Sequence, residues 1–321
     1  MKGARPAMGR TPAVRTVESV CPVIGHYDPP VTRHFLTGEE LSSDELTSLL
    51  DRALELKADR ALSHALADRS VALVFERPST RTRVSFEVGV HELGGHPVVL
   101  RGDELQLSRG ESPRDTALVL SRYVAGIAVR TGPHEVVEEL AEHATVPVIN
   151  MLTREHHPCQ VLADLLTLRE RFGRLEGLKI AYVGDGNNVT RSLMVLGARA
   201  GVEVAVAAPA QLAPSDRSTG ASVTDDPAEA VQGAHAVYTD VWVSMDDDHA
   251  SSDARRELLA PYRLDSTLLD LARPDAVALH CLPAHPGDEI AADVLYGPRS
   301  AVWDQAENRL HAQKALMELL L

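Results

Sequence analysis

The feature that most constrains this chain is an alternation of short apolar runs with stretches of helical spacing, and it occurs in two successive series. Val71–Phe75, Val98–Leu100, Ala125–Val129 and Val146–Ile149 form the first series, and Ile180–Val183, Val202–Ala207, Ala236–Thr239 and Ala276–Cys281 the second. Near-continuous apolar strands separated by helices predict parallel sheets covered on both faces. The expected fold is therefore α/β: two doubly wound parallel-sheet domains with the active site in the cleft between them. Ser42 to Glu45 fits a capping box, after which Leu46, Leu49, Leu50, Ala53 and Leu54 share a helical face. The stretch Pro158–Gly173 reads as a helical connector, which sets the boundary near residue 152 and gives domains of 31–152 and 153–303. Asp304–Leu321 reads as an amphipathic helix that returns to the first domain, and Pro209–Asp226, rich in Ser, Asp and Pro, as a surface loop.

Charge narrows the partners. Lys plus Arg is 32 against 46 for Asp plus Glu, a net charge of −14, with no basic stripe to neutralise a nucleic-acid backbone. Any arginines that bind an anion must act as a local cluster. No apolar run approaches the roughly 20 residues of a membrane span, and the three cysteines, Cys21, Cys159 and Cys281, lie far apart and read as reduced thiols of a cytoplasmic protein. The first 17 residues hold Lys2, Arg5, Arg10 and Arg15 and no acid. A targeting peptide, a disordered tail and a start upstream of Met8 all fit that composition, and residues 1–30 are carried forward as a flexible tail.

In open parallel sheets, ligands sit at the carboxyl ends of strands, and the chemistry-bearing motifs fall there. Val71–Phe75 is followed by Glu76-Arg77-Pro78-Ser79-Thr80-Arg81-Thr82-Arg83 and then a helical run. Free N–H groups and hydroxyls at a helix start bind anions, and arginines add charge-assisted bonds to phosphate. The same spacing would also suit a capped helix with solvated arginines. The segment Ser-Thr-Arg-Thr-Arg after a strand, however, resembles the carbamoyl phosphate signature of the transcarbamylases, the aspartate/ornithine carbamoyltransferase family. Gln106 in Leu105–Ser112 resembles that family's loop reaching a neighbouring subunit's site. His157-Pro158-Cys159-Gln160 and Arg309 in Asp304–Arg309 match further motifs in order, over Thr32 to Lys314. The resemblance implies that Ser79, Thr80, Arg81, Thr82, Gln106, Arg130, His157, Gln160, Cys281, Leu282 and Arg309 bind carbamoyl phosphate. Arginines would neutralise the dianion. His157, Thr82 and Arg130 would donate to the carbonyl oxygen, where charge grows in the transition state, and the Gln160 oxygen would hold the carbamoyl NH₂.

Gly184-Asp185-Gly186-Asn187-Asn188 also follows a strand, but Val189 replaces the third glycine of a dinucleotide fingerprint, and no acid follows at a convincing strand end. The resemblance instead gives Asn188 to the amino acid's α-carboxylate. Asp240-Val241-Trp242-Val243-Ser244-Met245 resembles the ornithine-site motif, so Asp240, Ser244 and Met245 are expected on that substrate. His280-Cys281-Leu282-Pro283-Ala284-His285 has no second ligand pair at zinc spacing, so no metal is expected. Without the resemblance Cys281 reads as a small core residue; with it, a Cys281 thiolate paired with Asp240 would orient the amine and help remove its proton.

Two positions depart from the family pattern: Asp246 stands where a glycine follows Ser-Met, and Ser108 where one follows Gln-Leu. The resemblance implies carbamoyl transfer to L-ornithine, catalysed by Cys281, Asp240, Arg130 and His157, without cofactor, in a homotrimer or a multiple of it with sites shared between chains. A related transferase acting on putrescine or a modified ornithine, or an inactive paralogue acting as a binding protein, are the alternatives.

Overall fold

The strand Val71–Phe75 is apolar along its length because both its faces are covered: Val71, Ala72, Leu73 and Val74 are all buried. The structure, a computed structural model, describes residues 32–216, 218–243 and 249–321 together with Met1 and Gly3. Apart from Met1 and Gly3, the expected tail lies outside the described residues, and so do Ser244, Met245 and Asp246.

The first half runs α1 (Ser43–Ala58), β1 (Ser70–Phe75), α2 (Thr80–Glu92), β2 (His96–Arg101), α3 (Pro113–Leu120), β3 (Gly126–Arg130), α4 (His134–His143) and β4 (Val148–Leu152). The helix α5 (Pro158–Phe172) leads into β5 (Lys179–Val183), α6 (Asn188–Arg199), β6 (Glu203–Ala207), β7 (Ser222–Thr224), α7 (Pro227–Val231) and β8 (Ala236–Thr239). Then follow α8 (His249–Leu259), α9 (Ser266–Leu269), β9 (Val277–His280), α10 (Ala292–Leu295) and α11 (Val302–Leu320). A four-stranded sheet has the order β2-β1-β3-β4 and a five-stranded sheet the order β7-β6-β5-β8-β9, with every pairing parallel. Both sheets are doubly wound, as the alternation of runs and helices requires.

Strand order positions the chemistry. In the first sheet the chain steps from β1 out to β2 and returns across to β3, so the switch point lies between β1 and β3. In the second it lies between β5 and β8. The carboxyl ends flanking these crevices carry Ser79–Thr82 and Arg130 in one sheet, and the Gly184–Asn188 turn and Asp240 in the other.

Helix α5 is buried on every side from Pro158 to Leu168, the polar Gln160, Asp164 and Thr167 included, and ends at Gly173 with φ +70°. Helix α11 packs back on the first half: Lys314, fully buried, donates to Glu92 at 2.9 Å, and Arg52 donates to Glu318 at 2.9 Å. Three local expectations need correction or completion. The stretch Pro209–Asp226 contains the edge strand β7, which its single apolar residue, Val223, could not announce. Leu56 joins the buried face of α1, which Leu54 borders, half-buried but still packed on the core. The fourth strand runs to Leu152 and takes in Asn150, polar and fully buried, whose Nδ2 donates to the Leu36 carbonyl at 2.8 Å. Among the described residues no helix is long and apolar enough to cross a membrane.

Candidate active site

The turn after β1 folds as expected from its residues. Ser79 is the N-cap of α2, its hydroxyl accepting from the Thr82 N–H at 3.3 Å, which leaves the first turn's remaining N–H groups directed outward. Arg81 is half-buried and Thr80 exposed at this helix end. Helix α11 brings in Arg309, only 4% exposed, which donates through one terminal nitrogen to Thr82 Oγ1 at 2.6 Å. Its Nε has no hydrogen-bond partner among the described residues. Burial pushes the Arg309 pKa down, and the neighbouring Arg81 charge adds to that. A desolvated guanidinium beside a second cation is a site that a dianion would complete.

Next to this cluster, His157 opens α5. Its backbone N–H donates to Ser192 Oγ at 2.8 Å, while its Nδ1 is buried without a partner among the described residues. Burial, reinforced by the Arg309 and Arg130 charges, holds its pKa well below the usual histidine range, so the imidazole is neutral. One turn on, Gln160 donates through Nε2 to Asp164 Oδ1 at 2.9 Å, and its Oε1 is buried and unpartnered among the described residues. An amide oxygen left over in this way is an acceptor for a substrate N–H. The same Asp164 oxygen takes a second bond, from Gln305 Nε2 at 2.7 Å, and Gln305 Oε1 accepts the His280 N–H at 2.9 Å. Burial raises the Asp164 pKa to about 7, against the pull of the two amides. Asp164 and Gln305 escaped the sequence reading. The available signal was an aspartate four residues after Gln160 on an otherwise apolar helix.

In the second sheet Gly186 is required by packing, since a Cβ there would stand 2.5 Å from the Pro214 nitrogen and 2.6 Å from the Leu212 carbonyl oxygen. Asn187 is the N-cap of α6: its Oδ1 accepts from Val189 and Thr190 N–H groups, and its Nδ2 donates to Asp240 Oδ2 at 2.9 Å. Asn188, expected on the α-carboxylate, donates through Nδ2 to the Thr153 carbonyl at 2.6 Å. Asp185, buried, is ion-paired with Arg255 of α8, and burial still raises its pKa to about 6. Arg255 also donates to the Trp242 carbonyl. Asn187 and Arg255 were both missed, because neither contact is local in sequence.

Cys281 Sγ lies 2.9 Å from Asp240 Oδ1 and donates to it. Burial first, then the Asp240 charge and this hydrogen bond, push the thiol pKa well above its ordinary value. The expected thiolate is therefore corrected: Cys281 is a thiol here, hydrogen-bonded to Asp240. The Asp240, His280 and Cys281 ligand atoms lie within 4.8 Å of one another. They do not form an open metal cage, because His280 Nδ1 takes the Leu282 N–H at 2.8 Å while Nε2 faces Glu289 at 3.1 Å. Arg309, His157, Gln160, Cys281 and Asp240 are thus joined by contacts or by mutual electrostatic influence. Gln106 is not joined to them: it is exposed, at the start of a short turn of 3₁₀ helix, Leu107–Arg109.

Two models, described as the carbamoyl-P binding domain and the Asp/Orn binding domain of aspartate/ornithine carbamoyltransferases, match residues 33–170 and 176–320. The chain belongs to the aspartate/ornithine carbamoyltransferase family. Within it, an ornithine carbamoyltransferase of Acidothermus cellulolyticus is 54% identical over 302 residues, covering 90% of this chain and 96% of that protein. One of Methanoculleus marisnigri is 49% identical over 300 residues, covering 90% and 97%. The solved ornithine carbamoyltransferase of Thermus thermophilus superposes with a TM-score of 0.85 at 45% identity, covering 91% of this chain and all of that one. That of Pyrococcus furiosus gives 0.86 at 44% identity, covering 90% and 97%. The four-stranded sheet falls within the first of these matched domains and the five-stranded sheet within the second.

Proposed function

We propose that this chain transfers the carbamoyl group of carbamoyl phosphate to the side-chain amine of L-ornithine, giving L-citrulline and phosphate, in the cytoplasm and as part of arginine biosynthesis. One observation carries the reading. The buried Arg309, its Nε without a partner among the described residues, shares a network with the Asp240–Cys281 carboxylate–thiol pair and with a Gln160 oxygen that is likewise unpartnered among the described residues. The first sheet, residues 31–152 with the C-terminal helix, takes the donor, and residues 153–303 take the acceptor.

The phosphate is assigned to Ser79, Thr80, Arg81, Thr82 and Arg309, at a helix N-terminus where dipole and free donors favour it. Thr82 accepts from Arg309 and keeps its own hydroxyl proton, with which it donates to the carbonyl oxygen, a task also given to Arg130 and His157. Gln160 Oε1 takes the carbamoyl NH₂, with Cys281 and Leu282 beside it. Asn188 is given the α-carboxylate. Asp240, steadied by Asn187, receives the δ-ammonium and removes one proton, with Ser244 and Met245 of the adjoining motif completing that subsite. The freed amine attacks the carbonyl carbon. The tetrahedral adduct collapses by cleaving the C–O bond to phosphate, which departs with the bonding pair and the second amine proton.

The test is citrulline formation from carbamoyl phosphate across ornithine, putrescine and related amines. Turnover with ornithine is expected, and its absence in folded protein refutes the reading. The exposure of Gln106 supports a trimer with shared sites. An Arg81→Ala chain refolded with a Gln106→Ala chain should regain activity in about a quarter of sites, since each mixed closed ring has one intact junction. No gain over the separate variants in confirmed mixed rings counts against sharing.

A further inference from the structure

The loop after β9 holds an arrangement that the carbamoyl-transfer reading leaves unexplained. Leu282, a γ-branched residue, sits at φ +60°, in the left-handed region that such side chains avoid unless their surroundings over-determine it. Its N–H donates to His280 Nδ1 at 2.8 Å. That bond requires a lone pair on Nδ1, so the ring proton is on Nε2 and donates to Glu289 Oε1 at 3.1 Å. Glu289 is 0% exposed, and its Oε1 also accepts the His285 N–H at 2.5 Å. Despite burial its pKa is lowered, because these donors stabilise the anion. His280 is itself 1% exposed, and Gln305 holds its backbone N–H. The imidazole thus has two separate duties. One edge donates to one oxygen of a buried carboxylate, and the other holds a backbone turn that follows Cys281 directly.

We propose that His280, oriented by Glu289, is a positioning residue: its Nδ1 holds the left-handed Leu282 turn and so sets the Cys281–Leu282 peptide against the carbamoyl group. This rests on the carbamoyl-transfer reading above. The two edges separate chemically. His280→Asn places an amide oxygen near the Nδ1 position, keeps an acceptor for Leu282 and abandons Glu289. His280→Gln reaches the Nε2 position, keeps a donor for Glu289 and abandons Leu282.

The experiment measures kcat for citrulline formation and the urea midpoint of wild type and both variants. His280→Asn should keep kcat within about threefold while its urea midpoint falls, and His280→Gln should keep its midpoint while losing about tenfold or more in kcat, because misplacing a substrate-facing group costs rate. A merely structural histidine predicts the reverse order, with activity following stability and His280→Gln the better enzyme. That order overturns the proposal. Should neither variant fold, Glu289→Gln carries the test, since it retains an acceptor for Nε2–H. A kcat within about threefold supports the proposal and a tenfold loss refutes it. Wild-type turnover is read in the same assay: its absence refutes the carbamoyl-transfer reading and this inference together, and its presence leaves the variants to judge His280 alone.

Discussion

Replacing Arg309 with methionine separates what the buried guanidinium costs the empty protein from what it gives the liganded one. Arg309 is 4% exposed, its Nε lacks a partner among the described residues, and Thr82 Oγ1 at 2.6 Å is the acceptor of a terminal nitrogen. A base whose pKa falls on burial is one whose charge the fold penalises. Leaving a buried donor unsatisfied costs about 1–3 kcal/mol, and the bond to Thr82 returns about 1.5–3 kcal/mol at most because one partner is charged. Methionine keeps an unbranched stem and removes both contributions, and exchanging a buried charge for an apolar group of like volume commonly stabilises by about 1–4 kcal/mol. The empty variant should therefore be as stable as wild type or about 1–2 kcal/mol more so. With carbamoyl phosphate at about 100 times its Kd, wild type should gain about 2.7 kcal/mol and the variant nothing. Urea unfolding at room temperature, followed by tryptophan fluorescence with and without carbamoyl phosphate, reads both quantities. An empty variant destabilised by more than about 1 kcal/mol that still responds to ligand would refute the reasoning, because Arg309 would then be a structural cation.

Cys281 should resist alkylation by iodoacetamide at pH 8, because burial and Asp240 keep it a thiol, and Asp240→Asn should speed its modification. A rate indifferent to Asp240, read by peptide mass, would remove the electrostatic link. Asp164 is raised from 3.8 to about 7, so the folded state binds its proton more tightly than the unfolded chain. The corresponding stability is complete below the unfolded pKa and is lost as pH rises through the folded one, by roughly 4 kcal/mol in all. Asp164→Asn, which cannot ionise, should therefore gain on wild type between pH 5 and pH 8 in urea titrations. A constant difference across that range would mean that Asp164 does not titrate there.

Much of the site was legible because its parts are local. Ser79 caps a helix whose start directly follows a strand, and Asp240 and the Gly184–Asn188 turn likewise follow strands, so adjacency in sequence sufficed. The network through Asp164, Gln305 and His280 was illegible, since its members come from α5, α11 and the end of β9. Arg255 and Asp185 are 70 positions apart. No periodicity or spacing rule encodes such pairs.

What the sequence determined by itself was the architecture and the strand ends that carry the candidate site. Apolar runs in two series leave parallel sheets as the way to bury both strand faces, and in such sheets the carboxyl ends are where motifs meet ligands. What only the tertiary structure decided was the state of the groups placed there. Cys281 was expected as a thiolate and is a thiol, Asp164 is an acid poised near neutrality, and His280 has a single tautomer. Protonation and tautomer depend on burial and on which partners arrive from distant elements, and those are set when the sheets and helices pack, not by the residues beside them in the chain.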